Sequence, residues 1–259
     1  MQGSGTHPLA VVAIVPARFS STRFPGKPLV DLAGVPMVVR VAQQARKARR
    51  VDRVRVATDD VRIREVVTQA GFEAVMTPQS CASGTDRVAF AARDLDDVAL
   101  IVNVQGDEPL IDPADIDALI EETSAASAEI GTLARPLDPA RFADPSAVKV
   151  VRDLHGHALY FSRSPVPHGA PELALLHLGL YAYQPSTLRA VAQLPPTVLE
   201  GAERLEQLRW LEHGYNIHVA MARSTAPSYA IDTPEDVQRV LEVLESRADR
   251  GQRTANAPR

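Results

Sequence analysis

VVAIVPARFSSTRFPGKP, residues 11–28, is the stretch whose reading decides the fold. Five consecutive apolar residues, Val11, Val12, Ala13, Ile14 and Val15, present no polar face and so predict an internal strand covered on both sides. The strand runs straight into a loop carrying the cations Arg18, Arg23 and Lys27, with Ser20, Ser21 and Thr22 in its middle. Pro16, Pro25, Gly26 and Pro28 shape that loop. Cations and free backbone N–H groups at the carboxyl end of an internal strand form a receptacle for a polyphosphate, Arg18 and Lys27 pairing with its oxygens. The loop matches neither G-x-x-x-x-G-K-[ST] nor G-x-G-x-x-G, which sets aside a P-loop protein and an NAD-dependent oxidoreductase. The competing reading is a solvated basic loop, but such a loop rarely needs two arginines and a lysine just after an apolar strand.

Outward from this stretch, strand and helix patterns alternate. Residues 36–48 read as a helix and 54–57 as a strand, and Asp59 or Asp60 caps a helix over 61–69 that Gly71 ends. Residues 72–76 form a third strand, 85–94 a helix, and 98–104, the most apolar run, a central strand. Asp112-Pro113 starts the next helix, with Asp112 as its cap. The result is an α/β fold: a mostly parallel sheet with right-handed crossovers, helices on both faces, and ligands at the carboxyl ends of the strands. From about residue 131 the segments 132–136, 147–152, 158–162 and 177–183 are strand-like, with a hairpin turn at His155-Gly156. They predict a mixed or antiparallel extension of the same sheet over the ligand edge. Helices over 186–192 and 203–213, a strand over 216–221 and a helix over 234–246 close the pattern.

Hydrophobic residues at 45% in a chain of 259 allow a sizeable core without staples. A net charge of -4 argues against a general nucleic-acid binder, so the cations of the first loop read as a site. Cys81, the single cysteine, has no partner for a disulfide, reads as inert and suits a reducing cytoplasm. No apolar run approaches the ~18–20 residues of a membrane span, and the leader MQGSGTHPLA lacks the features of a secretory signal. Residues 1–8 and the polar 248–259 are expected to be flexible ends.

Further candidates for chemistry carry bland alternatives. In VNVQGDEP, residues 102–109, Gly106 lets the chain turn so that Asp107 enters the cleft, placed either to hold Mg²⁺ against phosphates or to cap a turn. Asp232 precedes a helix start in which Thr233, Pro234 and Asp236 need no ligand, so by itself it reads as structural. Ser83-Gly84-Thr85-Asp86-Arg87 is either a ribose or base contact or an ordinary cap with Arg87 at the surface. His177 and Tyr181 share one strand face, where a lone histidine is more often a satisfied core group. Glu206 and Gln207 lie among Leu205, Leu208 and Leu211, with solvent exposure as their default. Arg163, just after a strand, is placed to meet an anionic substrate.

Taken in order, PARFSSTRFPGKPL, VATDD, SGTDR, VNVQGDEPLI, AVKVV, ALYFSR, HLGLYAY, LEQLR and IDTPEDV resemble one family, the 3-deoxy-manno-octulosonate cytidylyltransferases or CMP-Kdo synthetases. The resemblance runs from about residue 11 to 244, with the motifs in the family's order. It implies a Rossmann-like nucleotidyltransferase over residues 9–247, with a nucleotide half at 9–130 and a sugar and dimer half at 131–232. The implied reaction joins CTP to a 3-deoxy-2-ulosonic acid, releasing pyrophosphate as the anomeric hydroxyl attacks the α-phosphorus.

By resemblance, Arg18 and Lys27 hold the triphosphate, and Pro16, Ala17, Ser83, Gly84 and Arg87 frame the nucleotide. Asp107 and Asp232 bind Mg²⁺, and Gln105, Arg163, His177, Tyr181, Glu206 and Gln207 line the sugar pocket, with Arg163 facing the sugar carboxylate. A cytoplasmic homodimer serving lipopolysaccharide or capsule synthesis, with no nucleic-acid or membrane partner, is implied as well. One departure stands out: SPVPHGAPELALL, between Arg163 and His177, is shorter than in the family, and Leu176 replaces an arginine. An amino-substituted or other ulosonic acid is therefore an alternative substrate. A catalytically silent relative is disfavoured by the intact Arg18, Lys27, Asp107 and Asp232.

Overall fold

A computed structural model of the chain describes residues 9–20, 24–227 and 229–255. The first half alternates as its pattern predicts: β1 (Ala10–Ala17), α1 (Met37–Lys47), β2 (Arg53–Thr58), α2 (Val61–Gln69), β3 (Glu73–Met76), α3 (Gly84–Ala91), β4 (Val98–Asn103) and α4 (Pro113–Ala125). Asp60 and Asp112 cap α2 and α4 by accepting from Arg62 N and Ala114 N, each at 2.9 Å. The second half adds β5 (Ile130–Pro136), β6 (Lys149–Arg152), β7 (Ala158–Ser162), β8 (Leu175–Tyr183), α5 (Pro185–Val191), α6 (Val198–Glu203), α7 (Gln207–Glu212), β9 (Ile217–Met221) and α8 (Pro234–Ala255).

All nine of these strands join one sheet, ordered β3-β2-β1-β4-β8-β5-β9, with β6 and β7 branching from β8. The four strands of the first half pair in parallel, and β8 runs antiparallel to both β4 and β5. Alternate residues of β1 serve opposite layers, as the twofold period of a strand requires. Val11, Ala13 and Val15 pack with α1, α2 and α4, whereas Val12 and Ile14 pack with α3, α5 and α7. A smaller cluster of Leu32, Met37, Leu110, Ile231 and Val240 seats α8 against the loops that follow β1 and β4.

Two expectations change. The helix expected over 203–213 is two helices, α6 and α7, broken at Arg204, which takes the left-handed conformation at φ 54°. α6 itself begins upstream, where Glu200 Oε2 accepts from Thr197 N at 3.2 Å. The helix expected to end near residue 246 continues as α8 to Ala255, so much of the segment expected to be a flexible end is helical. Arginine, glutamine and alanine, all good helix formers, supply most of that extension. Residues 1–8 and 256–259 lie outside the described residues, as does Arg23 of the first loop. Among the described residues no helix is long and apolar enough to cross a membrane.

Candidate active site

Three loops meet at one lysine. Gly26, at φ 75°, donates its N–H to Phe19 O at 2.9 Å, closing the loop after β1 and starting the short 3-10 turn Lys27–Leu29. Lys27 Nζ then donates to Asp107 Oδ2 at 3.0 Å, to Ile231 O at 2.6 Å and to Asp232 Oδ1 at 3.4 Å. Asp107 is brought there by Gly106, where a β-carbon would sit 2.3 Å from Pro16 O, so only glycine lets the loops after β1 and β4 approach this closely. Ile231 N donates to Asp107 O at 2.9 Å, tying the third loop to the second. The helix-start signature is present as well: Asp236 Oδ2 accepts from Asp232 N and Thr233 N, both at 2.9 Å. The same cap holds Asp232 beside Lys27, so the structural and functional readings of this segment coincide.

Around this junction lies a cleft of about 260 Å³. Pro16, Ala17, Arg18, Lys27, Ser83, Gly84 and Arg87 all line it, together with Gln105, Asp107 and Asp232. Cys81, read as inert from sequence, lines it too. Ser83 caps α3 through a reciprocal pair, its Oγ accepting from Asp86 N at 3.1 Å while Asp86 Oδ2 accepts from Ser83 N at 3.0 Å. Arg87 is buried rather than at the surface. Its Nη2 donates to Asp59 Oδ2 at 2.9 Å and its Nη1 to Thr77 Oγ1, so it forms a fixed rear wall.

The residues implied for the sugar form a second group beside this cleft. Gln105 Nε2 donates to Gly179 O at 2.9 Å, bridging from the end of β4 to β8. Gly179 and Leu180 are two extra residues on β8: Thr132 of β5 opposes Tyr181, yet Leu133 opposes Leu178. An insertion of two preserves the side-chain alternation, and His177 and Tyr181 do share a face, their ring centroids 5.5 Å apart. His177 also packs edge-on to Phe161 at 4.9 Å and meets Thr132 Oγ1 with Nε2 at 2.9 Å. The residue keeps partial surface exposure, but burial of the ring lowers its pKa to about 3 and holds it neutral. The Tyr181 hydroxyl is buried beside Thr132, and burial raises it well above its usual range.

Glu206 and Gln207 depart from their expected exposure. Gln207 is buried, and Glu206 is partly so, accepting from Thr85 Oγ1 at 2.8 Å. Burial raises the Glu206 carboxyl above its usual range, outweighing its hydrogen bonds to Ser83 and Thr85. The break at Arg204 starts a new helix at Gln207 and so re-aims this pair, which a single helix over 203–213 left exposed by default. Thr85, to which the sequence reading assigned no separate role, links the nucleotide wall to this second group. Its only sequence signal was its place in SGTDR.

Arg163 is tied to backbone carbonyls of two neighbouring segments. Its Nε donates to Glu203 O at 2.8 Å, Nη1 to Pro145 O at 3.0 Å and Nη2 to Arg204 O at 3.4 Å. Its amide N also donates to Glu203 Oε2 at 2.8 Å. The guanidinium thus braces the segment that leads to Glu206, with three of its five N–H groups engaged in this way. Leu176 is partly buried and packs against the small cluster of Leu137, Ala147 and Ala174.

Cations and opposed carboxylates at the strand ends of an α/β sheet define a nucleotidyltransferase site. A family profile described as cytidylyltransferase matches residues 12–217. The 3-deoxy-manno-octulosonate cytidylyltransferase of Anaeromyxobacter sp. (strain Fw109-5) is 49% identical over 90% of this chain and 96% of its own length. That of Myxococcus xanthus (strain DK1622) is 49% identical over 91% of this chain and 97% of its own. A solved CMP:2-keto-3-deoxy-manno-octonic acid synthetase complexed with CTP superposes with a TM-score of 0.86 at 37% identity, covering 92% of this chain and 99% of that one. The chain belongs to the cytidylyltransferase family and, within it, to the 3-deoxy-manno-octulosonate cytidylyltransferases.

Proposed function

We propose that this chain joins CTP to 3-deoxy-manno-octulosonic acid (Kdo), giving CMP-Kdo and pyrophosphate. The observation that carries the reading is the convergence of Lys27, Asp107 and Asp232 in a cleft lined by the loop after β1. It is supported by relatives of that name at 49% identity along nearly the whole chain. Arg18 and Lys27 neutralise the triphosphate, while Pro16, Ala17, Ser83 and Gly84 shape the space for the cytidine. The sugar's anomeric oxygen forms a bond to the α-phosphorus as the bond to pyrophosphate breaks and the hydroxyl proton is released. Most of the protein's work is positioning and charge compensation.

Asp107 and Asp232 would hold magnesium. Both carboxylates already face one cation, the Lys27 ammonium, and no third histidine, cysteine or carboxylate joins them among the described residues. That donor set suits Mg²⁺, which takes one or two carboxylates and completes its shell with phosphate oxygens and water. Bound there, the ion would supply charge neutralisation on the phosphates.

Gln105, His177, Tyr181, Glu206 and Gln207 form the sugar side, where hydrogen-bonding groups of β4, β8 and α7 lie beside the cleft. A variant ulosonic acid is the second reading, favoured by Leu176 where the family carries a cation. The two halves act as one unit in a cytoplasmic homodimer. Exposed Leu154 and Leu159 on the β6–β7 hairpin and Val198 on α6 supply apolar surface for the partner.

The test is pyrophosphate release from CTP with Kdo, amino-Kdo or sialic acid, with Mg²⁺ and with EDTA. Turnover with Kdo that EDTA abolishes and Mg²⁺ restores is the expected result. Absence of turnover with every acidic sugar defeats the reading, and preference for amino-Kdo selects the second one.

A further inference from the structure

Thr132 has a role that its place inside β5 conceals. It is fully buried, and its Oγ1 lies 2.8 Å from Leu180 O, 3.4 Å from Leu178 O and 2.9 Å from His177 Nε2. A hydroxyl has one proton and two lone pairs. The two carbonyl oxygens can only accept, so a 2.8 Å approach of Thr132 Oγ1 to Leu180 O requires the hydroxyl proton to lie between them. The contact with His177 then uses a lone pair of Oγ1, and the imidazole must donate from Nε2. The same hydroxyl spans the two-residue insertion on β8, since Leu178 and Leu180 flank Gly179.

We propose that Thr132 is a positioning residue that fixes His177 as the Nε2–H tautomer and leaves Nδ1 as a hydrogen-bond acceptor for a hydroxyl of the sugar. No hydrogen bond to Nδ1 is made by the described residues, and His177 N is itself held by Val148 O at 2.8 Å. A neutral ring offering only a lone pair accepts from O–H or from an ammonium and is repelled by a carboxylate. His177 therefore reads the hydroxylated part of the sugar, not its acid group. This inference rests on the proposed sugar site, although the tautomer can be tested without it.

The experiment combines ¹⁵N-histidine NMR with kinetics on Thr132→Val and Thr132→Ser, the His177 signals being assigned from the spectrum of His177→Asn. In the wild-type chain His177 should show a protonated Nε2 and an unprotonated Nδ1, and Thr132→Ser should match it. Thr132→Val should lose that tautomer preference and raise KM for the sugar about tenfold, the effect of one lost hydrogen bond, with KM for CTP little changed. A protonated Nδ1 in the wild type overturns the proposal even if Thr132→Val fails to fold. So does a folded Thr132→Val that keeps both the tautomer and the sugar KM. If the tautomer behaves as expected but His177→Ala leaves the sugar KM unchanged, the sugar site is wrong and the tautomer assignment survives.

Discussion

The nucleotide wall and the proposed sugar wall of the cleft are made by different means. The first comes from the loops after β1 and β4 and the segment before α8, all at the edge of the sheet. Its charges face one another because backbone atoms pack closely: Gly106 against Pro16, Ile231 against Asp107, Asp236 around the start of α8. The second comes from the faces of β5 and β8 and from the broken helix pair α6 and α7. Its histidine and carboxylate are half-buried, and burial of their polar ends sets their protonation: a neutral His177 and a Glu206 carboxyl raised above its normal range. Loops at a sheet edge hold charge near water, an arrangement suited to ligands that arrive charged and hydrated. Strand faces hold polar groups away from water, where hydrogen-bonding direction can discriminate one hydroxyl from another.

If that contrast is right, the nucleotide wall should be the more sensitive to removal of a single charge. Lys27→Ala and Asp107→Ala should each reduce pyrophosphate release by at least about a hundredfold, as expected for groups that compensate charge in phosphoryl transfer. Near-normal turnover in either variant would remove the assigned roles. Backbone proximity is tested next by Gly106→Ala, whose β-carbon meets a main-chain oxygen that cannot swing away. A loss of about 1–3 kcal/mol in urea unfolding is expected, with a higher KM for CTP because Asp107 is displaced from Lys27. Unchanged stability and KM together would show that the two loops need not touch.

The smallest effect belongs to the sugar wall and appears as pH dependence. His177 has a folded pKa of about 3, below the ordinary histidine value, because burial disfavours its cation. Above pH ~6.5 both folded and unfolded forms are neutral, and this histidine costs nothing. As pH falls below that value the unfolded chain takes up a proton and the native chain does not, so stability is lost at about 1.4 kcal/mol per pH unit. Between pH 7 and pH 5 the wild type should lose about 2 kcal/mol more than His177→Gln in parallel urea titrations. Equal losses would mean that the ring is charged or solvated in the native state.

Residue by residue, legibility followed the same division. Strand β1, the caps Asp60 and Asp112, the central β4 and the candidate phosphate cations were readable because they rest on local signals. A run of apolar residues, an Asp before a helix or a Pro-Gly loop acts within a few positions of itself. The exposed default for Glu206 and the surface alternative for Arg87 failed because each answers to partners on other elements: Thr85 for Glu206, Asp59 and Thr77 for Arg87. Resemblance placed Glu206 and Gln207 in the sugar pocket but did not foresee that Arg163 is held by three carbonyls. Thr132 carried no signal at all, since a threonine in a strand is unremarkable until its three neighbours are known.

The amino-acid sequence by itself determined the α/β alternation, the carboxyl edge of the sheet where the cleft lies, and the cations offered there, because strand burial, caps and turn residues act over short distances. Only the tertiary structure decided which carboxylates meet Lys27, that Arg87 is buried as a brace, and which hydroxyl meets Nε2 of His177. Those outcomes depend on hydrogen-bond partners and desolvation contributed by segments from 28 to 205 residues apart, separations at which no periodicity in the sequence operates.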